Sequence, residues 1–124
     1  MKQEAIETIT INDVEYVRKD TVSAKAEKMD GLTYCIVRTY SAGVFAGWVN
    51  PETGETGVVL RARRLWYWSG AASLSQLSVD GVANPDKCKF PCEVESVFLT
   101  KIIEVTPCTT KSLESIASVP IWKQ

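Results

Sequence analysis

The sequence predicts an α+β fold: one domain, a mainly antiparallel β-sheet and two short helices. Three observations carry that prediction. Stretches rich in β-branched and aromatic residues recur between clusters of Asn, Asp, Gly and Pro, the pattern of short strands and turns. Two other segments place apolar residues at helical spacing, one before a glycine stop and one behind a threonine cap. The 124 residues contain no internal repeat, low-complexity stretch or linker, so residues 1–124 are read as a single domain.

In TITINDVEYV, Ile9 and Ile11 alternate with Thr8 and Thr10, Asn12-Asp13 offers a turn, and Val14, Tyr16 and Val17 resume the apolar pattern. Asn and Asp tolerate the left-handed backbone of tight turns, so a hairpin is expected over 7–18. Residues 19–32 are polar and form a connector. Residues 34–68 are expected to hold antiparallel strands. The first covers 34–40 and is interrupted by Ser41-Ala42-Gly43. Gly47 lies inside the next, where a glycine marks a bulge or a close backbone approach. Residues 50–57 form a loop, and 58–68 return as the neighbour of 44–49. Ala71, Leu74 and Leu77, stopped by Gly81, predict a helix over 70–79. ANPDKCKFPCEV reads as a proline-containing loop. SVFLTKIIEV reads as one long strand, 96–106, placed centrally because its alternation is mixed; Pro107 ends it. Thr109 or Thr110 caps a helix over 110–118, with Leu113, Ile116 and Ala117 on one face.

Composition narrows the function. Hydrophobic residues make up 45% and charged residues 23%, and the net charge is −1 with a pI near 5.5. A broad polyanion-binding surface is therefore not expected, and duplex nucleic acid is not an expected partner. The apolar runs are too short to span a membrane, and MKQEAIETIT has no apolar signal core, so a cytoplasmic protein is expected. In a reducing compartment Cys35, Cys88, Cys92 and Cys108 are expected to be free thiols behaving as small hydrophobes. The three residues between Cys88 and Cys92 do not match a zinc pair, and the chain has no histidine to complete a mixed site. Histidine is also the usual general base near neutral pH, and no carboxylate pair stands out in its place. No catalytic residue, metal site or cofactor is assigned, and a binding protein is favoured over an enzyme.

One stretch concentrates the remaining chemistry. Residues 61–70, RARRLWYWSG, hold three of the five arginines and two of the four tryptophans. On a regular strand Leu60, Ala62, Arg64, Trp66 and Trp68 share one side, and Arg61, Arg63, Leu65 and Tyr67 the other. Two readings follow. In the first, Trp66 and Trp68 are core, and the arginines are solvated or pair with Glu93, Glu95 or Glu104. In the second, the stretch lines a nucleotide pocket. Guanidinium forks match phosphate oxygens, and aromatic faces stack on a base. The small residues 69–73 would let a ligand approach the backbone, and a helix starting at Gly70 would add free N–H groups. Arg63 and Arg64 lie on opposite faces, so one is expected to meet the pyrophosphate and the other to tie down a carboxylate or reach toward a neighbouring subunit.

The segments YCIVRTYSAGVFAGWV, VVLRARRLWYWSGAASLSQLSVDGV and FLTKIIEVTPC resemble the first-described type of phage Thoeris anti-defence proteins, over roughly residues 33–110. The resemblance implies a sponge that binds a cyclic ADP-ribose isomer made by TIR-domain defence enzymes and holds it uncleaved in the host cytoplasm. It implies a homo-oligomer built from dimers, with pockets completed by a neighbouring subunit, and in some members a separate site for cyclic oligonucleotides. Taken with the residue-level reading, the ligand-binding candidates are Ser41, Phe45, Arg63, Arg64, Trp66, Trp68, Ser73 and Phe90. A single-stranded nucleic-acid module, a nucleotide hydrolase and a structural phage component remain the alternatives.

Overall fold

The computed structural model describes residues 31–123; the hairpin expected over 7–18 and most of the 19–32 connector lie outside them. Five antiparallel strands form the sheet: β1 (Thr33–Thr39), β2 (Val44–Val49), β3 (Gly57–Arg64), β4 (Glu93–Leu99) and β5 (Ile102–Pro107). Their order across the sheet is β4-β3-β2-β1-β5. Two helices follow the predicted pattern, α1 (Leu74–Asp80) and α2 (Thr110–Ser118). The α+β prediction holds.

β4 and β5 lie on opposite edges, yet only Thr100 and Lys101 separate them. In a flat sheet those edges would be about 19 Å apart, four strand spacings. Three Cα steps reach at most about 11 Å. The sheet must therefore curl until its edges approach at one corner. Two backbone bonds stitch that corner: Ile102 N–H donates to the Glu55 carbonyl at 2.8 Å, and Tyr40 N–H to the Lys101 carbonyl at 3.0 Å. Curling explains a dry cluster made of strand residues alone, with Cys35, Val37, Phe45, Val49, Val59, Ala62, Leu99 and Ile102 all buried. The outer face carries the second cluster. There Tyr34, Ile36, Ala46 and Leu65 pack against Leu77, Phe90, Ile116 and Val119. Each such aliphatic or aromatic side chain contributes about 1.5–3 kcal/mol of burial.

The single strand expected over 96–106 is thus two strands, and both are edges. Its mixed alternation comes from a break at Lys101, whose φ of +56° turns the chain between them. A second correction concerns 58–68. Strand β3 ends at Arg64, and beyond it only Tyr67 bridges to Lys89. Its alternation also slips. Arg61 has a φ of +53°, and the β2–β3 register shifts between Ala46 and Trp48. Val59, Ala62 and Arg64 consequently share the inner side, while Arg61 and Arg63 share the outer one; Leu60 does not keep phase with Ala62 as expected. Gly47 sits at this bulge, as its position in the sequence suggested. A Cβ there would lie 2.5 Å from Val59 Cγ1 and 2.8 Å from the Leu60 carbonyl oxygen.

The helices are set by their caps. Ser73 Oγ accepts from Gln76 N–H, so α1 starts at Leu74 and not at Gly70. Gly81, at φ +78°, closes it. The free N–H groups expected from a Gly70 start are not formed, since Ala72 N–H already donates to Gln76 Oε1. Thr109 is the cap of α2, and its Oγ1 accepts from Ser112 N–H.

Candidate nucleotide-binding surface

RARRLWYWSG divides residue by residue. Arg61 pairs with Glu93 at 2.9 Å on the surface, as the first of the two sequence readings expected for an arginine. Arg63 is buried. Its Nε donates to Pro91 O, its Nη1 to Ile116 O, and its Nη2 contacts the carbonyls of Phe90, Val119 and Pro120, all between 2.7 and 3.2 Å. The same guanidinium stands 5.5 Å from the centre of the Phe90 ring. Burial works against its charge, and Tyr34 and Glu93 nearby favour it. One side chain therefore ties the C-terminal end of α2 and the Phe90–Pro91 loop to β3. A cation among carbonyls at a helix C-terminus is electrostatically well placed.

Arg64 behaves differently. Its guanidinium carbon lies 4.4 Å from the centre of the buried Phe45 ring, and Nη1 donates to Ala42 O at 2.6 Å. It is exposed and makes no ion pair among the described residues. The turn that holds it is itself fixed. Buried Thr39 donates through Oγ1 to Gly43 O at 2.8 Å and accepts there from Ala42 N–H at 2.9 Å. Gly43, at φ +104°, gives the backbone the left-handed conformation the turn needs. A guanidinium stacked on a ring and pinned at one nitrogen has lost most of its rotamer freedom before any ligand arrives. Its remaining donors are held in place, which lowers the entropy cost of meeting an anion there.

The structure brings Ser41, Phe45 and Arg64 together around this turn. It adds two residues the sequence did not single out. Tyr40 is 75% exposed, and Lys101 Nζ stands 5.9 Å from its ring centre. Tyr40 adjoins the turn and was within reach of the sequence; Lys101 was hidden inside the supposed single strand. Trp66 follows the end of β3 and is 64% exposed, with Tyr67 beside it at 52%. Lys89 Nζ reaches both the Tyr67 and Trp122 rings.

The family model of a domain of unknown function (DUF6948) matches residues 32–116. The chain belongs to this family. Neither a curated protein nor a solved structure matches it. The DUF6948 segment contains Tyr40, Ser41, Phe45, Arg64, Trp66 and Lys101, while Trp122 lies beyond it.

Four candidates fall elsewhere in the DUF6948 fold. Arg63 and Phe90 form the interior clamp just described. Trp68 is half-buried against the outer-face core. Ser73 is committed to the α1 cap. No disulfide joins Cys35, Cys88, Cys92 or Cys108 among the described residues. Among the described residues no helix is long and apolar enough to cross a membrane.

Proposed function

We propose that this protein sequesters a cyclic ADP-ribose isomer without cleaving it, and so blocks the Thoeris defence that TIR-domain enzymes signal through in the host cytoplasm. The single observation that carries the reading is the Arg64–Phe45 platform at the Ser41–Gly43 turn. It offers an oriented guanidinium for a pyrophosphate. Tyr40, next to the turn and under Lys101, supplies an exposed aromatic face and Lys101 a second cation in this reading, and Trp66, two residues after Arg64, a further exposed aromatic for adenine. Stacking of a base on such a face is worth about 1–3 kcal/mol. The resemblance of SAGVFAG and ARRLWYWSGAASLSQL to the anti-defence proteins supplies the ligand class. It also supplies the assembly: a homo-oligomer built from dimers, in which a neighbouring subunit completes each pocket. Holding the ligand intact fits a chain that contains no histidine.

Single-stranded nucleic acid is the second reading, favoured by Trp66 and Tyr67 lying exposed beside Lys89. Its steep salt dependence would separate it, and a pI near 5.5 works against it. The deciding experiment incubates purified protein with extract from cells whose TIR enzyme is active, washes it, denatures it by heat and identifies what is released by mass spectrometry. Release of an intact cyclic ADP-ribose isomer is expected. Release of a cleaved product would favour a hydrolase, and release of no nucleotide would overturn the proposal.

A further inference from the structure

A cavity of about 500 Å³ opens on the outer face of the sheet, away from Arg64. One wall is aromatic. Tyr34 and Trp48 are cross-strand partners in β1 and β2, with ring centres 5.3 Å apart and planes at 70°. The opposite wall is aliphatic and comes from α2 and the chain after it, chiefly Leu113 and Val119. The polar groups are grouped together: Arg61 paired with Glu93, and buried Arg63 behind them. Tyr34 adds a phenol that burial keeps protonated, hence a hydrogen-bond donor.

Arg61 is on this side only because of the β3 bulge. A non-glycine residue at φ +53° is strained, and such residues persist where the surroundings impose them, often at binding sites. Continuing the phase of Val59, Arg61 and Arg63 would both face the inner cluster with Ala62 facing out. The bulge turns both arginines to the outer side, where they line this cavity. Two arginines and one glutamate leave one net positive charge. A dianionic phosphate is opposed by Glu93 and has only the Arg61 guanidinium to meet, because Arg63 is spent on carbonyls. A singly charged carboxylate can take Arg61 from Glu93 without leaving an excess of either sign.

We propose that this cavity is a second small-molecule site, independent of the Arg64 surface, for a planar aromatic compound bearing one carboxylate. The ring packs against Trp48 and the α2 wall, and the carboxylate exchanges with Glu93 as the partner of Arg61.

The test uses three probes of one shape: 2-naphthoate, neutral 2-naphthamide and cationic 2-naphthylmethylammonium. Binding is followed by the Trp48 indole N–H resonance of ¹⁵N-labelled protein, assigned with Trp48→Phe. The expected order is 2-naphthoate tightest, with the amide about tenfold weaker and the cation weaker still. Arg61→Gly relieves the backbone, so it folds with an unlowered melting temperature, yet it loses the preference for the anion. Ala117→Phe, on the α2 wall, blocks all three probes. Equal affinity for the three, no shift of the Trp48 resonance, or undiminished 2-naphthoate binding by Arg61→Gly would each overturn the proposal. None of these outcomes bears on cyclic nucleotide binding at Arg64, so the two readings fail separately.

Discussion

The Arg64 guanidinium carbon lies 4.4 Å from the centre of the Phe45 ring, and that ring is 3% exposed. The arginine thus roofs a core aromatic while its outward edge faces solvent. Phe45→Leu keeps the inner cluster apolar but removes the stacking face. Cation–π contacts contribute about 0.5–2 kcal/mol. Phe45→Leu should therefore weaken anion binding at Arg64 several-fold, while an anion-independent ligand of the protein is unaffected. Calorimetric titration of the variant beside the parent checks this; unchanged affinity would mean that Ala42 alone orients the guanidinium.

Arg63, the next residue back, should report on stability and not on ligand. Arg63→Ala removes the group that joins the carbonyls of Phe90, Pro91, Ile116, Val119 and Pro120, although Phe90 and Ile116 keep backbone donors from Trp122 and Val119. Losing a buried charge network costs about 3–5 kcal/mol. A fall in melting temperature of about 10 °C or more is expected, and Arg63→Lys should recover only part of it because an ammonium cannot span the same carbonyls. A melting curve within two or three degrees of the parent, roughly the effect of one weak contact, would contradict the clamp.

Gly47→Ala should be among the most damaging small substitutions in the sheet. Its Cβ would meet Val59 Cγ1 at 2.5 Å and the Leu60 carbonyl oxygen at 2.8 Å. Backbone on one side and a fully buried valine on the other leave little room to relax. Overpacking of this kind costs about 1–3 kcal/mol. Urea denaturation should show a lower midpoint with an unchanged slope. A midpoint equal to that of the parent would mean that β2 and β3 can separate at the bulge.

Stability should fall at alkaline pH. Burial pushes the Cys108 thiol up from near 9 to about 11, and it also raises the Tyr34 phenol. Both are acids that the folded state keeps neutral. Their contribution is complete below the unfolded pKa and is lost as pH rises through the folded one. These two groups therefore leave the melting temperature level below the ordinary thiol value near 9 and lower it between the Cys108 limits of 9 and about 11. For Cys108 the loss reaches about 2–3 kcal/mol, two pKa units at about 1.4 kcal/mol each. Cys108→Ala should make the decline shallower above pH 9, the unfolded end of that window. An identical decline in that variant would assign the effect elsewhere.

Local signals in the sequence located most elements, because each has a local cause. Thr109 caps α2, Gly81 stops α1, and Gly47 marks a bulge, and each is visible as a residue type at a position. What failed were the phase changes. Arg61 and Lys101 take positive φ although neither is glycine, so nothing in their identity announces the break. Lys101 turned one expected strand into two edges, and the slip at Arg61 took Leu60 out of phase with Ala62. Arg63 and Arg64 do lie on opposite faces, but Arg63 ties down backbone carbonyls and not the expected carboxylate. Which of them serves the fold was not legible in the sequence, because it depends on the distant carbonyls of Pro91, Val119 and Pro120.

The most direct test of the central claim is the affinity of Arg64→Ala for a cyclic ADP-ribose isomer, measured by calorimetry beside the parent and Arg64→Lys. Arg64 is exposed, so the variants should melt with the parent. If Arg64 holds the pyrophosphate, alanine weakens binding by about ten- to a hundred-fold, and lysine restores only part because it lacks the planar fork. If folded Arg64→Ala binds the ligand as tightly as the parent, Arg64 is not the phosphate residue, and the account of this surface is wrong.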